Sequence, residues 1–140
     1  MLTDPTRCAI LPVALAEELP ARETAELVER VTTGVGVCVE TIVINDVIPF
    51  PFPPGLEDLD GILARLKNAP LVDHLRTNAL AQCAAYVRAR SELNQRYVAE
   101  IERTTKLPVI VLPHLPQGIR GVADLETLRD ALMGPVAEPA

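Results

Sequence analysis

The chain has 140 residues and 49% of them are hydrophobic, which suits a single folded domain with its own core. Thirteen Lys and Arg against nineteen Asp and Glu give a net charge of -6, and there is no basic run and few aromatic residues, so nucleic acid is not an expected partner. No apolar stretch reaches the roughly 18 residues that cross a membrane, and the N-terminus lacks the apolar core of a signal peptide, so we expect a cytoplasmic protein without membrane insertion.

Three largely apolar runs predict buried strands: Cys8 to Leu15, Val37 to Ile44, and Val109 to Leu112. Strands that are apolar on both faces are typical of a parallel sheet covered by helices. Pro12 has no backbone N–H and therefore favours an edge or a bulge. We predict an α/β fold with three layers, a mostly parallel sheet and flanking helices. Because three strands alone leave apolar faces and edges uncovered, we expect this sheet to be part of a larger one.

Helical patterns separate the three predicted strands. The first predicted helix runs from Arg22 to Thr33, and Gly34 follows it as the expected left-handed stop. Residues 48–55 include four prolines and predict an extended surface loop. A helical segment, residues 56–105, then leads to the third strand. The whole chain, residues 1–140, is predicted to form one α/β domain.

Two helices are predicted inside this helical segment. Pro70 separates a helix over Leu56 to Lys67 from a longer one over about Leu71 to Thr104. The longer helix has apolar residues at helical spacing, which predicts one buried face, while its Arg and Glu residues predict a solvated outer face. The predicted buried stripe consists of Leu75, Ala79, Cys83, Tyr86, Leu93, Tyr97 and Ile101.

Several kinds of catalytic chemistry lack their residues in this sequence. The only lysines, Lys67 and Lys106, do not follow a glycine, so no phosphate-binding loop ending in Gly-Lys-Ser/Thr is present. The only serine, Ser91, lies within a predicted helix, which excludes a serine hydrolase. The three cysteines are widely spaced and predict buried reduced thiols, without a disulfide or a metal site. No residue is predicted to be catalytic.

Polar and Pro/Gly-rich segments follow the second and third strands, where open α/β sheets bind ligands. Asn45 and Asp46 are predicted to terminate the second strand, and the third leads into the loop Pro113 to Val122. The Asn45 amide has one acceptor and two donors, which suits the edge of adenine, although a turn-forming Asn-Asp pair has the same pattern. Arg120 either reaches a ligand or holds the loop by hydrogen bonds. A last helix is predicted from about Val122, with one apolar face formed by Leu125, Leu128 and Leu132.

Three segments are the most specific features of the sequence: the helix start at Glu23 and Thr24, the strand Ile42-Val-Ile-Asn45, and the Pro to Ile-Arg-Gly loop within Leu112 to Gly121. With these segments in the same order, nearly the whole chain resembles the C-terminal half of the ArsA-type anion-transporting ATPases, whose eukaryotic relatives target tail-anchored membrane proteins. This resemblance implies the C-terminal part of a P-loop NTPase-like fold and ATP or ADP as the ligand. The Asn and the loop contact adenine in that family, which assigns base binding here to Asn45, Pro113, His114, Leu115, Pro116, Ile119 and Arg120.

The resemblance also implies that the chain is a C-terminal fragment. The P-loop, the magnesium-binding residues and the switch segments of the family would all precede Met1. We therefore expect an adenine-nucleotide-binding subdomain that does not hydrolyse ATP alone, with the N-terminal ATPase half or a second copy in a homodimer as its partner. Magnesium would be held by the N-terminal half.

Three positions depart from the family pattern. Gly118 stands where the loop usually has Glu, and Ala16 stands where the family has a proline before the acidic residues. Cys83 is single where eukaryotic members have a zinc-binding Cys-x-x-Cys, so zinc is not expected. Any contact made by the family's carboxylate is therefore lost at Gly118, and the resemblance does not determine the role of Glu17.

A function of another class also fits the residues. A non-enzymatic interaction module would use the Pro-rich loop, with Phe50 and Phe52, and the long helix to dock a partner protein or a second copy.

Overall fold

The structure, a computed structural model, describes residue 4, residues 7–49, residues 61, 64, 65 and 68, and residues 74–133. Most of the predicted Pro-rich loop and most of the helix predicted over Leu56 to Lys67 lie outside these residues. The chain separates into two compact units, Met1–Val47 with Leu93–Ala140, and Ile48–Glu92. The second unit falls within the Pro-rich and helical segments that the sequence predicted between the second and third strands.

The first unit contains a parallel sheet of three strands in the order β1 (Val13–Leu15), β2 (Ile42–Val47) and β3 (Val109–Pro113). Both neighbouring pairs are parallel, so the α/β class is confirmed. Val13 lies opposite Val43 and Val43 lies opposite Ile110, which fixes the register across the sheet. The carboxyl ends of the three strands therefore lie at the same end of the sheet.

Four strand boundaries differ from the prediction: the start of β1, both ends of β2, which was predicted from Val37 but begins at Ile42, and the end of β3, which is Pro113 and not Leu112. β1 was predicted from Cys8 but begins at Val13, after an isolated bridge between Ala9 and Cys38. Pro12 interrupts the ladder because it has no N–H, and only its carbonyl oxygen takes part, accepting from Val43 N over 2.9 Å. β2 was predicted to end at Ile44 but continues to Val47.

Helix α1 (Glu18–Glu29) begins earlier than predicted. Glu17 is its extended N-cap residue, and Pro20 is accommodated in the first turn, where a missing N–H costs nothing. A π-helical turn, Arg30–Val35, follows, and Gly36 ends it in the left-handed conformation with a φ of 74°. The left-handed stop is thus Gly36, and the prediction of Gly34 for that position was wrong.

Helix α2 (His74–Thr105) contributes to the core of the first unit near its C-terminal end. Tyr97 and Ile101 of the predicted stripe pack in that core, but Ala79, Cys83 and Tyr86 are exposed, so the stripe does not form one buried face. A 32-residue helix rises about 48 Å and a six-residue strand about 20 Å, so these strands can cover less than half of it. None of the helices in the described part of the chain is long and apolar enough to span a membrane.

The core lies on one face of the sheet. It joins Ile42 and Ile44 of β2 to Ala21 and Val28 of α1 and to Ile101 of α2. Helix α3 (Val122–Met133) begins where the sequence predicted and packs next to β3. Its predicted apolar face is largely open, since Leu125 and Leu132 are 52% and 40% exposed.

Apolar side chains are also exposed on β1 and just before it. Leu11, Val13 and Leu15 alternate along the chain and are 54%, 64% and 40% exposed, whereas Val43, the register partner of Val13, is 2% exposed. These three residues, called the β1 strip below, lie at an edge of the three-stranded sheet.

Candidate functional site

A bulge near the end of β2 directs two consecutive polar side chains toward one place. Alternate residues of a regular strand point to opposite faces, so Asn45 and Asp46 would normally diverge. The register between β2 and β3 shifts between Ile44 and Val47, however, and Asp46 has a φ of 63°. Bulges of this kind re-aim side chains, and aspartate is among the residues that tolerate the left-handed conformation best. Both residues consequently reach the carboxyl end of the sheet.

The loop after β3 is held by a tight turn. Gly118 N donates to the carbonyl oxygen of Leu115 over 2.9 Å, which closes a four-residue turn with Pro116 in its second position. Proline suits that position because its φ is fixed near the required value. Gly118 has a φ of 65°, a left-handed conformation in which a residue with a side chain is strained. The turn folds the loop back toward β2.

These segments enclose a concavity of about 300 Å³ at the carboxyl ends of β2 and β3. We call it the strand-end concavity; it is lined by Asn45, Asp46, Pro113, Leu115, Gly118, Ile119 and Leu128. Its lining combines apolar surface with one amide and one carboxylate, as small-molecule sites usually do. The volume lies at the lower limit of such sites and suits one ring system better than a whole nucleotide.

A side-chain contact joins the two strand ends beside the concavity. His114 Nδ1 lies 2.6 Å from Asp46 Oδ1, and the two side chains are 38% and 56% exposed. A carboxylate only accepts hydrogen bonds, so Nδ1 carries the hydrogen and donates it. The backbone reinforces the link, because His114 N donates to the carbonyl oxygen of Val47 over 2.8 Å.

The C-terminal end of the loop is fixed by the start of α3. Arg120 N donates to Asp124 Oδ2 over 2.8 Å, so a carboxylate in the first turn of α3 satisfies an amide just before the helix. Leu125 N also bonds to the carbonyl oxygen of Gly121 over 3.4 Å. It is the backbone of Arg120 that holds the loop, and its side chain is exposed.

The structure brings together some of the residues predicted to bind the base. Asn45, Pro113, Leu115 and Ile119 all line the strand-end concavity. The remaining three predicted residues, His114, Pro116 and Arg120, do not line the concavity. His114 contacts Asp46, and Pro116 is exposed in the turn. The backbone of Arg120 joins the end of the loop to the start of α3. A nucleotide-binding role for any of them stays a prediction.

Sequence reasoning did not assign Asp46 or Leu128 to the site. Asp46 was read only as a strand terminator, because nothing in the sequence marks a bulge. Leu128 was placed on the apolar face of the last helix. That apolar face could have indicated Leu128 as a lining residue, because a helix that packs beside β3 turns part of its apolar face toward the end of the strand.

A second concavity, of about 390 Å³, lies beside the π-helical turn and is lined by Thr32, Thr33, Thr104, Thr105 and residues of α1. Three of these hydroxyls already donate to carbonyl oxygens one turn earlier: Thr32 to Val28, Thr33 to Glu29 and Thr105 to Ile101. These three hydroxyl hydrogens are therefore already used within the helices and are not available to donate to a ligand.

The described residues offer no metal site beside these concavities. Among the residues that the structure describes, no three His, Cys, Asp or Glu side chains are grouped as metal ligands would be. The cysteines are free, with Cys8 and Cys38 half-buried and Cys83 exposed, so the prediction of a buried thiol was wrong for Cys83.

No model of a protein family matches the chain, and no curated protein matches it either.

Proposed function

We propose that this chain binds the adenine moiety of ATP or ADP in the strand-end concavity, as the C-terminal, base-binding part of an ArsA-type ATPase with a P-loop NTPase-like fold. The observation that carries the proposal is a juxtaposition: Asn45 and the loop residues Pro113, Leu115 and Ile119 line one concavity at the carboxyl ends of adjacent parallel strands. The resemblance to the ArsA-type ATPases implies base binding by the same four residues.

The chemistry of the lining supports a purine base. An amide can donate to a ring nitrogen of adenine and accept from its amino group at the same time. Pro113, Leu115 and Ile119 add apolar surface against which a flat ring can pack. Binding of the base by the isolated chain should be weak, because phosphate contacts usually dominate nucleotide affinity and no phosphate-binding loop is present.

The proposed partner is the N-terminal half of such an ATPase. The β1 strip leaves apolar surface open at one edge of the sheet, and a parallel sheet is normally covered on both faces. A neighbouring strand of the N-terminal half would add to this edge, and that half would supply the lysine and magnesium that phosphoryl transfer needs. The chain alone should not turn over ATP.

Titration of the isotope-labelled chain with ADP, followed by amide NMR spectra, tests base binding even when it is weak. We expect concentration-dependent shifts at Asn45, Asp46, His114 and Ile119. Asn45→Ala should weaken binding about three- to tenfold, as loss of a typical hydrogen bond does. The matched control is Asn78→Ala, an exposed asparagine on α2 that is not a lining residue.

Ile119→Ala tests the apolar wall in the same titration. Leu80→Ala is its control, because Ile119 and Leu80 are 58% and 56% exposed and only Ile119 lines the concavity. Unchanged spectra at millimolar ADP, or shifts confined to other residues, would contradict base binding. ATP turnover by the purified chain would contradict its dependence on a second half.

The rival function is a non-enzymatic interaction module, and the β1 strip also favours it. The two proposals differ in whether a nucleotide binds at the strand-end concavity. A docking module would associate with a protein or a second copy and show no nucleotide-dependent shifts at the strand-end concavity.

A further inference from the structure

We propose that Asp46 is a specificity-determining residue of the strand-end concavity, selecting a base with a 6-amino group, and that His114 is a positioning residue that restricts Asp46 to one free oxygen. This inference rests on the proposed function, because it concerns which base the same site prefers. It makes the site selective for adenine nucleotides over inosine and guanine nucleotides.

Asp46 is the charged residue of the lining. Within the described part of the chain, the other lining residues are Asn45, Pro113, Leu115, Gly118, Ile119 and Leu128, all uncharged. Asp46, at the bulge, and Asn45 both line the same concavity. The site therefore presents two neighbouring polar groups of different kinds, an amide that both donates and accepts and a carboxylate that only accepts.

An acceptor-only group distinguishes adenine from hypoxanthine. The amino group of adenine has two hydrogens: the Asn45 amide can accept one while donating to a ring nitrogen, and Asp46 Oδ2 can accept the other. Hypoxanthine has a carbonyl oxygen in place of that amino group. Two acceptors would then face each other, and a charged acceptor makes the unfavourable contact stronger. Inosine nucleotides should therefore bind more weakly.

The contact between His114 and Asp46 affects how well guanine can bind. Guanine presents two adjacent donors, a ring N–H and an amino group, which pair best with both oxygens of one carboxylate. Here Oδ1 already accepts from His114 Nδ1 over 2.6 Å. Only Oδ2 is left without a protein partner among the described residues, which suits one amino hydrogen and not two parallel donors. His114 thus acts through Asp46, without lining the concavity itself.

The test compares ADP, IDP and GDP in NMR titrations of the full chain. The wild-type chain should bind ADP about tenfold or more tightly than IDP, the factor expected for a hydrogen bond to a charged group. Asp46→Asn should reduce that ratio to nearly one, because an amide can donate to the carbonyl oxygen of IDP. Asparagine also tolerates the left-handed backbone, so the bulge should persist.

Asp130→Asn is the control for charge. It removes the same negative charge from an exposed position on α3 and should leave the ADP to IDP ratio unchanged. His114→Ala should free the second oxygen and improve GDP binding relative to ADP. A residue with a purely structural role would weaken all three nucleotides together.

Several outcomes would overturn the inference. The role of Asp46 fails if wild type binds ADP and IDP equally, or if Asp46→Asn keeps the preference. The role of His114 fails if His114→Ala leaves the GDP to ADP ratio as in wild type. If no nucleotide shifts the amides of the concavity while Asp46→Asn retains wild-type spectral dispersion, the proposed function itself fails and this inference with it.

Discussion

Asn94 on α2 donates from its side-chain amide Nδ2 to the carbonyl oxygen of Ala16 over 2.9 Å, and both residues are nearly inaccessible to solvent. Ala16 follows β1 directly, so this bond ties the helix to the carboxyl end of the first strand. No buried side-chain nitrogen or oxygen in the described residues lacks a hydrogen-bond partner. The buried Asn94 amide thus has a hydrogen-bond acceptor in the backbone carbonyl of Ala16, which lies just beyond the end of β1.

Removing this amide should destabilise the first unit. Asn94→Ala leaves the Ala16 carbonyl buried without a donor, and we expect the free energy of unfolding to fall by about 1–3 kcal/mol. Chemical unfolding followed by circular dichroism measures the change. Asn78→Ala, at an exposed position of the same helix, should stay within about 0.5 kcal/mol of wild type. Equal effects of the two substitutions would show that the buried hydrogen bond contributes nothing.

The helix pattern around residues 91–94 explains why sequence reasoning misjudged α2. Ser91 and Asn94 are polar and are not part of the predicted buried stripe, yet both are buried. Each is satisfied by a carbonyl far away in sequence, Ser91 by that of Ile48 and Asn94 by that of Ala16. A hydrophobic stripe predicts which face is apolar, but it cannot predict that a strand end will supply an acceptor for a buried amide.

The two glycines after α1 provide a second test. Gly36 has a φ of 74°, whereas Gly34 lies in the π-helical turn without a positive φ, and neither has a heavy atom within 4 Å of where a Cβ would be placed. Steric room is therefore equal and only the backbone conformation differs. Gly36→Ala should lower the free energy of unfolding by about 1 kcal/mol.

Gly34→Ala is the control, and it should be neutral or raise stability by up to about 1 kcal/mol through the unfolded chain. Thermal unfolding of both variants under identical conditions gives the comparison. A larger loss for Gly34→Ala than for Gly36→Ala would mean that the chain stops its helix at Gly34, as the sequence had predicted.

Lys106 provides the converse case, a non-glycine residue in the left-handed conformation. It follows α2 with a φ of 58°, and its N donates to the carbonyl oxygen of Glu102 over 2.8 Å. Glycine is the usual residue at such a helix end. Lys106→Gly should raise the free energy of unfolding by about 0.5–1 kcal/mol, because relief of the strain exceeds the added entropy of the unfolded chain.

Lys106→Ala separates the backbone effect from the side chain. It removes the amine but keeps the Cβ, so unfolding in urea should show no comparable gain. If the Ala variant is stabilised as much as the Gly variant, then the lysine side chain, and not the backbone angle, accounts for the difference.

Parts of the fold and of the candidate site followed from the sequence, and the reason for each success or failure is local. The apolar runs located the three strands because each strand is a nearly continuous apolar segment; Pro113 is the last residue of β3, whereas Asn45 lies two residues before the end of β2. The contribution of Asp46 could not be foreseen, since its backbone angle depends on how Val47 pairs with Pro113 on the next strand. A single residue of register shift decides on which face a side chain appears.

The open edge of the sheet can be tested with a pair of register partners. Val13 and Val43 lie opposite each other on the same face of neighbouring strands, yet they are 64% and 2% exposed. Thr has nearly the shape of Val but adds a hydroxyl. Val43→Thr buries that hydroxyl and should lower the free energy of unfolding by about 1–3 kcal/mol, whereas Val13→Thr leaves it in water and should change stability by less than about 0.5 kcal/mol.

The same pair reveals whether the β1 strip is covered in solution. If a second copy or another protein chain occupied it, Val13 would be buried in that assembly, and Val13→Thr would both destabilise the protein and shift its sedimentation toward the monomer. A monomer with a silent Val13→Thr variant would mean that this edge is open when the chain is alone, as expected if the strip is completed by the separate N-terminal half. A costly Val13→Thr together with wild-type dimers would instead favour the second copy as the partner.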